Sequence, residues 1–313
     1  MTMLVGIHPD GHGKAVLDLA AMLARSAGDE LVVCAVIPSA WPPSPARVDA
    51  EYREQLAETA HRALDQARAR LPDDIPATFQ VGHARSAPAG LLELAEEHEA
   101  SLIVVGSSSG GAFGHVSLGS VTDRLAHSSP IPVVIAPRGF RSRSDARVVR
   151  VTAAFAGTHT ADDLVVAAAG VAARVGASLR LASFAVRPRP PYTSGVGREA
   201  AGSIVAEWEQ EIATAARDAL DAVARLPVAP ADRTFAIGHG ESWAEALEDV
   251  EWGEGDVLVV GSSSVGPLAR VFLGSRSSKI VRHSPVPVAL VPRGAAAELA
   301  EQAEQPEGLV GPA

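Results

Sequence analysis

The chain has 313 residues, 47% hydrophobic and 20% charged, with 27 Lys and Arg against 37 Asp and Glu. This is globular composition for two domains of ~150 residues each, and it excludes a wholly disordered chain. The net charge of −10 excludes a general nucleic-acid binder, because such affinity comes from neutralising phosphates with Lys and Arg; the single cysteine, Cys34, excludes a disulfide framework. No apolar stretch approaches the ~20 residues of a membrane span. Met1 to Val5 lack the basic and apolar regions of a secretory signal. The expectation is a cytoplasmic protein with no membrane partner.

In chain order, short apolar runs at Met3–Ile7, Leu31–Ile37, Ala77–Val81, Leu102–Val105 and Val133–Ala136 predict five strands. They alternate little, as strands covered by helices on both faces do. Amphipathic helices separate them. Val48, Tyr52, Leu56, Ala60, Ala63, Leu64, Ala67 and Leu71 form one apolar stripe at helical spacing. A polar linker follows, Gly139 to Arg147, and then the order restarts. Thr160 to Asp163 resemble a capping box, and Ile204, Trp208, Ile212, Ala215, Ala216, Ala219 and Val223 repeat the apolar stripe. After Gly294 the Ala-, Glu- and Gln-rich sequence lacks an evident apolar face, which predicts a disordered tail.

The restart is a duplication. Ser101-Leu-Ile-Val-Val-Gly-Ser-Ser-Ser109 recurs as Asp256-Val-Leu-Val-Val-Gly-Ser-Ser-Ser264, and Leu118-Gly119-Ser120 as Leu273-Gly274-Ser275. Ser129-Pro130 recurs as Ser284-Pro285, and Pro137-Arg138-Gly139 as Pro292-Arg293-Gly294, all at an offset of 155 residues. A repeat of that length is a whole domain rather than a solenoid unit. The expected domains are 1–140 and 148–294, with 295–313 as the tail. Alternating strands and helices imply right-handed crossovers, hence an α/β architecture of two tandem doubly wound domains, each a five-stranded parallel sheet flanked by helices.

The loop after the fourth strand carries the chemistry. Glycines let backbone approach a ligand, and Gly119-Ser120 or Gly274-Ser275 then opens a helix whose free N–H groups favour an anion. Hydroxyls of Ser120 and Thr122, or of Ser275 and Ser277, could bind phosphate oxygens; alternatively Ser120 and Ser275 are N-caps. The element order, the glycine loop and the run Gly119-Ser-Val-Thr-Asp-Arg-Leu-Ala-His-Ser-Ser-Pro-Ile-Pro-Val-Val resemble the universal stress protein family in a tandem form.

That resemblance implies strand order 3-2-1-4-5 and an adenine nucleotide, ATP with Mg2+ beside it, at Gly106, Ser109, Gly119, Ser120, Val121 and Thr122, and at Gly261, Ser264, Gly274, Ser275 and Ser277. Ser109 and Ser264 stand where ATP-binding members carry a second glycine; a positive φ there would cost serine about 1–2 kcal/mol. ATP-binding members also place an aspartate after the first strand. Here His8 stands there, with Asp10 two residues on, and the second copy has no carboxylate before Asp162. Copy one is therefore favoured as the nucleotide site.

A non-catalytic regulatory protein is the reading these residues favour. The alternatives are a tandem scaffold with degenerate sites, and a hydrolase using Ser108 of Gly106-Ser-Ser-Ser-Gly110, a match to the nucleophile elbow. A helix should follow that elbow at once, and the twin has Val265 at the last glycine. The sequence contains no phosphate loop ending in Gly-Lys-Ser/Thr and no dinucleotide fingerprint. His83 and His239 recur after the third strand but read as surface residues, and no histidine shows metal-ligand spacing. Cys34 reads as core. The fifth strands, Val133–Ala136 and Val288–Val291, are apolar edges bracketed by prolines, so they predict an intramolecular pseudo-dimer; the same edges admit a homodimer.

Overall fold

The computed structural model describes residues 1–9, 13–38, 47–157, 162–187, 195–264, 271–272 and 274–305. Copy one runs β1 (Thr2–Ile7), α1 (Lys14–Ala27), β2 (Glu30–Pro38), α2 (Arg47–Arg70), β3 (Ala77–Ala84), α3 (Ala87–Glu97), β4 (Leu102–Gly106), α4 (Ser120–Ser128) and β5 (Val133–Ala136). Copy two runs β6 (Arg150–Ala154), α5 (Asp162–Arg174), β7 (Ser178–Val186), α6 (Gly195–Val223), β8 (Arg233–Gly240), α7 (Trp243–Glu248) and β9 (Asp256–Gly261). It continues with a small hairpin, β10 (Ser263–Ser264) and β11 (Val271–Phe272), then α8 (Ser275–His283), β12 (Val288–Val291) and α9 (Arg293–Glu304). Thr160, of the expected capping box, lies outside the described residues.

Local signals explain the element ends. Gly28, at φ 71°, closes α1 with its N–H on the carbonyl of Ala24, a left-handed turn that suits a residue without Cβ. Ser86 and Ser242 cap α3 and α7 by accepting from the N–H groups of Ala89 and Glu245. Every residue of β2 from Leu31 to Ile37 is buried, as the lack of alternation required.

Within each copy the strands are parallel in the order 3-2-1-4-5, and together they form one ten-stranded sheet, β3-β2-β1-β4-β5-β12-β9-β6-β7-β8. The copies join where β5 and β12 pair antiparallel, with Val133, Val134 and Ile135 opposite Leu290, Ala289 and Val288. The two apolar edges close on each other, and β3 and β8 become the edges of the whole. One core, with Cys34, Ile103, Leu125, Ile135, Leu258 and Val288, fills the α3, α4, α7 and α8 face across the seam. A second core, with Val5, Leu19, Met22, Val104, Leu179 and Leu181, fills the other face.

The linker between copies is pinned rather than loose. Ser142 Oγ donates to the carbonyl of Asp18 (3.1 Å), the N–H of Val148 donates to Ser26 Oγ (2.7 Å), and the N–H of Val149 donates to the carbonyl of Gly255 (2.9 Å).

The tail expectation needs correcting. Residues 293–304 form α9, with Ala295, Ala296, Ala300 and Ala303 buried. Its contact face is made of small residues: a Cβ on Gly170 of α5 would lie 2.6 Å from the Cβ of Ala303. Interaxial distance follows side-chain size, so alanine and glycine here let two helices approach closely. Composition alone hides such a face. Residues 306–313 lie outside the described set.

Candidate functional site

The carboxyl ends of the strands, at the point where β1 meets β4 or β6 meets β9, are where open doubly wound sheets take ligands. The twin loops after β4 and β9 share a scaffold. Ser107 Oγ donates to the carbonyl of Ala136 (2.8 Å) and Ser262 Oγ to that of Val291 (3.4 Å), tying each fourth strand to the fifth. Thr122 Oγ1 donates to the carbonyl of Gly106 (3.1 Å) and Ser277 Oγ to that of Gly261 (3.3 Å), tying each helix back to its strand.

These contacts revise several expected roles. The Thr122 and Ser277 hydroxyls hold the loop frame instead of facing phosphate. Ser120 and Ser275 are not N-caps: Gly119 and Gly274 occupy the cap positions, with no side-chain capping bond, and the serines are the first helical residues, both exposed. The Val121 side chain packs against the core, which leaves only its backbone N–H for a ligand. Ser109 is an exposed turn residue without positive φ, so the strain foreseen for serine there does not arise; within this loop the left-handed residue is Gly114, at φ 83°. Ser264 lies in β10, paired with Val271. His8 follows β1 and is exposed, while Asp10 lies outside the described residues.

In copy one, Gly106 at the end of β4 and Gly119 before α4 both sit in close approach to neighbouring side chains. A Cβ on Gly119 would meet Ser108 Cβ at 3.1 Å, and one on Gly106 would meet Val16 at 2.9 Å. In copy one the loop folds onto the turn after β5. The N–H of Gly114 donates to the carbonyl of Arg138 (2.9 Å), the N–H of Arg138 to that of His115 (3.0 Å), and Arg138 Nη1 to that of Gly111 (2.5 Å). Ser108 Oγ accepts from the N–H of Gly110 (3.4 Å).

Copy two differs. There a cleft of about 460 Å3 opens at the switch point. Its floor comes from Ala154, Phe155, Ala182, Val260 and Gly261, and Gly274 to Ser277 bring the N-terminus of α8 to one wall. Trp208 of α6 and Trp243 of α7, both half-buried, supply indole surface, and Arg276 and Arg293 supply positive charge. Asp163, at the start of α5, adds a carboxylate. The charge is specific to this copy: Arg276 stands at the repeat position of Val121, and Arg293 starts α9, whereas its twin Arg138 is folded into the loop.

Trp208, Trp243, Asp163, Arg276 and Arg293 were not among the candidate site residues read from the sequence. Trp208 falls on the apolar stripe of its helix and reads as core. The signal available was divergence between copies: Trp243 stands where the twin helix has Ala87, and Arg276 where it has Val121. Elsewhere, His83 and His239 are exposed as expected, and His239 pairs with Glu209 (3.2 Å) and Asp249 (3.3 Å). Among the described residues no group of three or more His, Cys, Asp or Glu could hold a metal ion, and no helix is long and apolar enough to cross a membrane.

These features define a tandem doubly wound α/β protein with a ligand-sized cleft at a switch point. The family model described as universal stress protein matches residues 1–137 and 149–292. The chain belongs to the universal stress protein family, with the domain present twice. A universal stress protein of Mycobacterium tuberculosis (strain H37Rv) is 40% identical over 296 residues, covering 93% of this chain and 100% of the relative. One of Mycobacterium bovis is similar to the same degree. Among solved structures, a universal stress protein from Archaeoglobus fulgidus shares the fold at a TM-score of 0.61 and 21% identity, covering 94% of this chain and 98% of its own.

Proposed function

We propose that this universal stress protein is a non-catalytic regulatory protein that binds an adenine nucleotide, ATP, in the copy-two cleft. One observation carries the reading: the cleft sets two indole rings beside a helix N-terminus and two arginines. An aromatic ring offers a purine a stacking face, and a helix N-terminus with nearby guanidinium groups offers phosphates donors and positive charge. The N–H groups at Ser275 and Arg276 suit the phosphates, and the Asp163 carboxylate suits the ribose hydroxyls as an acceptor. With no multi-carboxylate cluster among the described residues, Mg2+ would be held chiefly by the phosphates. The non-catalytic reading is supported by Ser108, whose Oγ is engaged with backbone in its own loop rather than with a histidine.

Calorimetric titration of the full chain with ATP and Mg2+ tests the proposal. A single site is expected, weakened by about tenfold or more in Arg276→Ala or Arg293→Ala, the scale of one hydrogen bond to a charged group. Binding unaffected by both substitutions but lost in Gly119→Leu would return the site to copy one. No binding at nucleotide concentrations on the order of 1 mM would leave the scaffold reading, which the closed loop of copy one already favours for that half.

A further inference from the structure

A second cavity lies away from both switch points, on the opposite face of the sheet from α3 and α8. It encloses about 330 Å3 between α1, α5 and α9, directly over the seam of the two copies. Leu23, Val134, Val148, Val259, Ala289 and Leu299 are among its walls. The fold explains why it exists. Copy two ends in α9, which packs closely on α5 through Gly170 and Ala303, whereas copy one leaves β5 into the linker and has no helix in the equivalent place. One helix therefore roofs a seam built from two strands, and the side toward α1 stays unfilled. Ala289 reports the opening: it sits in mid-strand between β5 and β9, yet it is only partly buried.

The lining selects the ligand by chemistry. It contains no aromatic residue, unlike the copy-two cleft, so it gives a purine no stacking face. The polar groups set back from its rim are already engaged. Ser26 Oγ donates to the carbonyl of Met22 and accepts from Val148, Ser101 Oγ donates to the carbonyl of Thr2, and Arg174 lies 3.9 Å from Asp29. Glu298 and Gln302 stand exposed at the rim, on α9. A buried charge without a partner is costly, whereas aliphatic surface is not, so the walls match an uncharged aliphatic chain. The size falls at the lower end of the roughly 300–1,000 Å3 usual for small-molecule sites.

We infer that this seam cavity is a binding site for an uncharged, medium-length aliphatic molecule, with α9 as its roof. The inference does not depend on nucleotide binding.

The probe is the uncharged fluorophore N-phenyl-1-naphthylamine, titrated into the full chain and displaced with 1-decanol. Saturable one-to-one binding, displaced by 1-decanol and unaffected by ATP, is expected. Ala289→Leu fills the cavity from the sheet and Ala27→Leu narrows it from the end of α1. Each should weaken the probe at least tenfold while circular dichroism shows the fold retained, and if one variant does not fold the other decides. No saturable binding to the wild type, or equal binding in the filled variants, would overturn the site. Displacement by decanoate but not by 1-decanol would overturn the assigned ligand class.

Discussion

Ile135 and Val288 stand opposite each other across the seam of the two copies, both 0% exposed and in the same core. Ile135→Ala removes a fully buried side chain and leaves a void, for a cost of about 2–5 kcal/mol; Val288→Ala, one methyl smaller, costs about 1–3 kcal/mol. Because the two side chains share their packing, the double variant should lose less than the sum, by ~0.5–3 kcal/mol. On heating, Ile135→Ala should lower Tm by about 3–8 °C for a chain of this size. Guanidinium unfolding followed by tryptophan fluorescence and far-ultraviolet dichroism measures all four corners of the cycle. One cooperative transition is expected in the wild type, since both cores run across the seam. Additivity within ~0.5 kcal/mol would refute the pairing of the strands. So would two resolved wild-type transitions, only the first of which moved in Ile135→Ala.

Asp256 is 3% exposed and holds Arg150 at 2.6 Å and buried Arg180 at 3.7 Å. Burial, and then neighbouring Arg150, pulls the Arg180 guanidinium down to about 10. Asp256→Ala strips its carboxylate partner and should cost about 3–5 kcal/mol in denaturant unfolding; a loss under ~1 kcal/mol would show that Arg180 needs no such partner. Burial pushes the Cys34 thiol up to about 12, so a thiol reagent at pH 8 should label it only as the chain opens, and rapid labelling of the native protein would contradict the buried core placement. The Asp249 carboxyl is held below the usual carboxylate range, first by the backbone N–H of His239 and then by its ring. A depressed folded pKa gives support that is present above the unfolded value of about 3.9 and is lost as pH falls through the folded one. Hydrogen-exchange protection at the β8–α7 junction, corrected for intrinsic exchange at each pH, should therefore fall below that range, and Asp249→Ala should flatten that fall; an unchanged protection profile in the variant would refute the link.

Much of the fold was legible in the sequence because its signals are local or repeated. The runs around Leu31–Ile37 and Leu102–Val105 show buried parallel strands by their lack of alternation. The duplicated Gly-Ser motifs mark the two halves, and Pro132, Pro137, Pro287 and Pro292 mark the ends of two short apolar strands. The family followed from the same motifs. Other features depend on what meets what in space. The alanines of α9 look like a tail until Gly170 provides the surface they fit. The Thr122 and Ser277 hydroxyls look like phosphate ligands until the carbonyls of Gly106 and Gly261 prove to lie within reach. The cleft itself draws on Asp163, Trp208, Trp243, Arg276 and Arg293, which five different helices bring to one strand end. No spacing along the chain encodes that meeting, because it is set by how each crossover helix packs back on the sheet. The seam cavity is likewise a product of asymmetry, one roofing helix over two strands, and only tertiary packing decides where a chain leaves space unfilled.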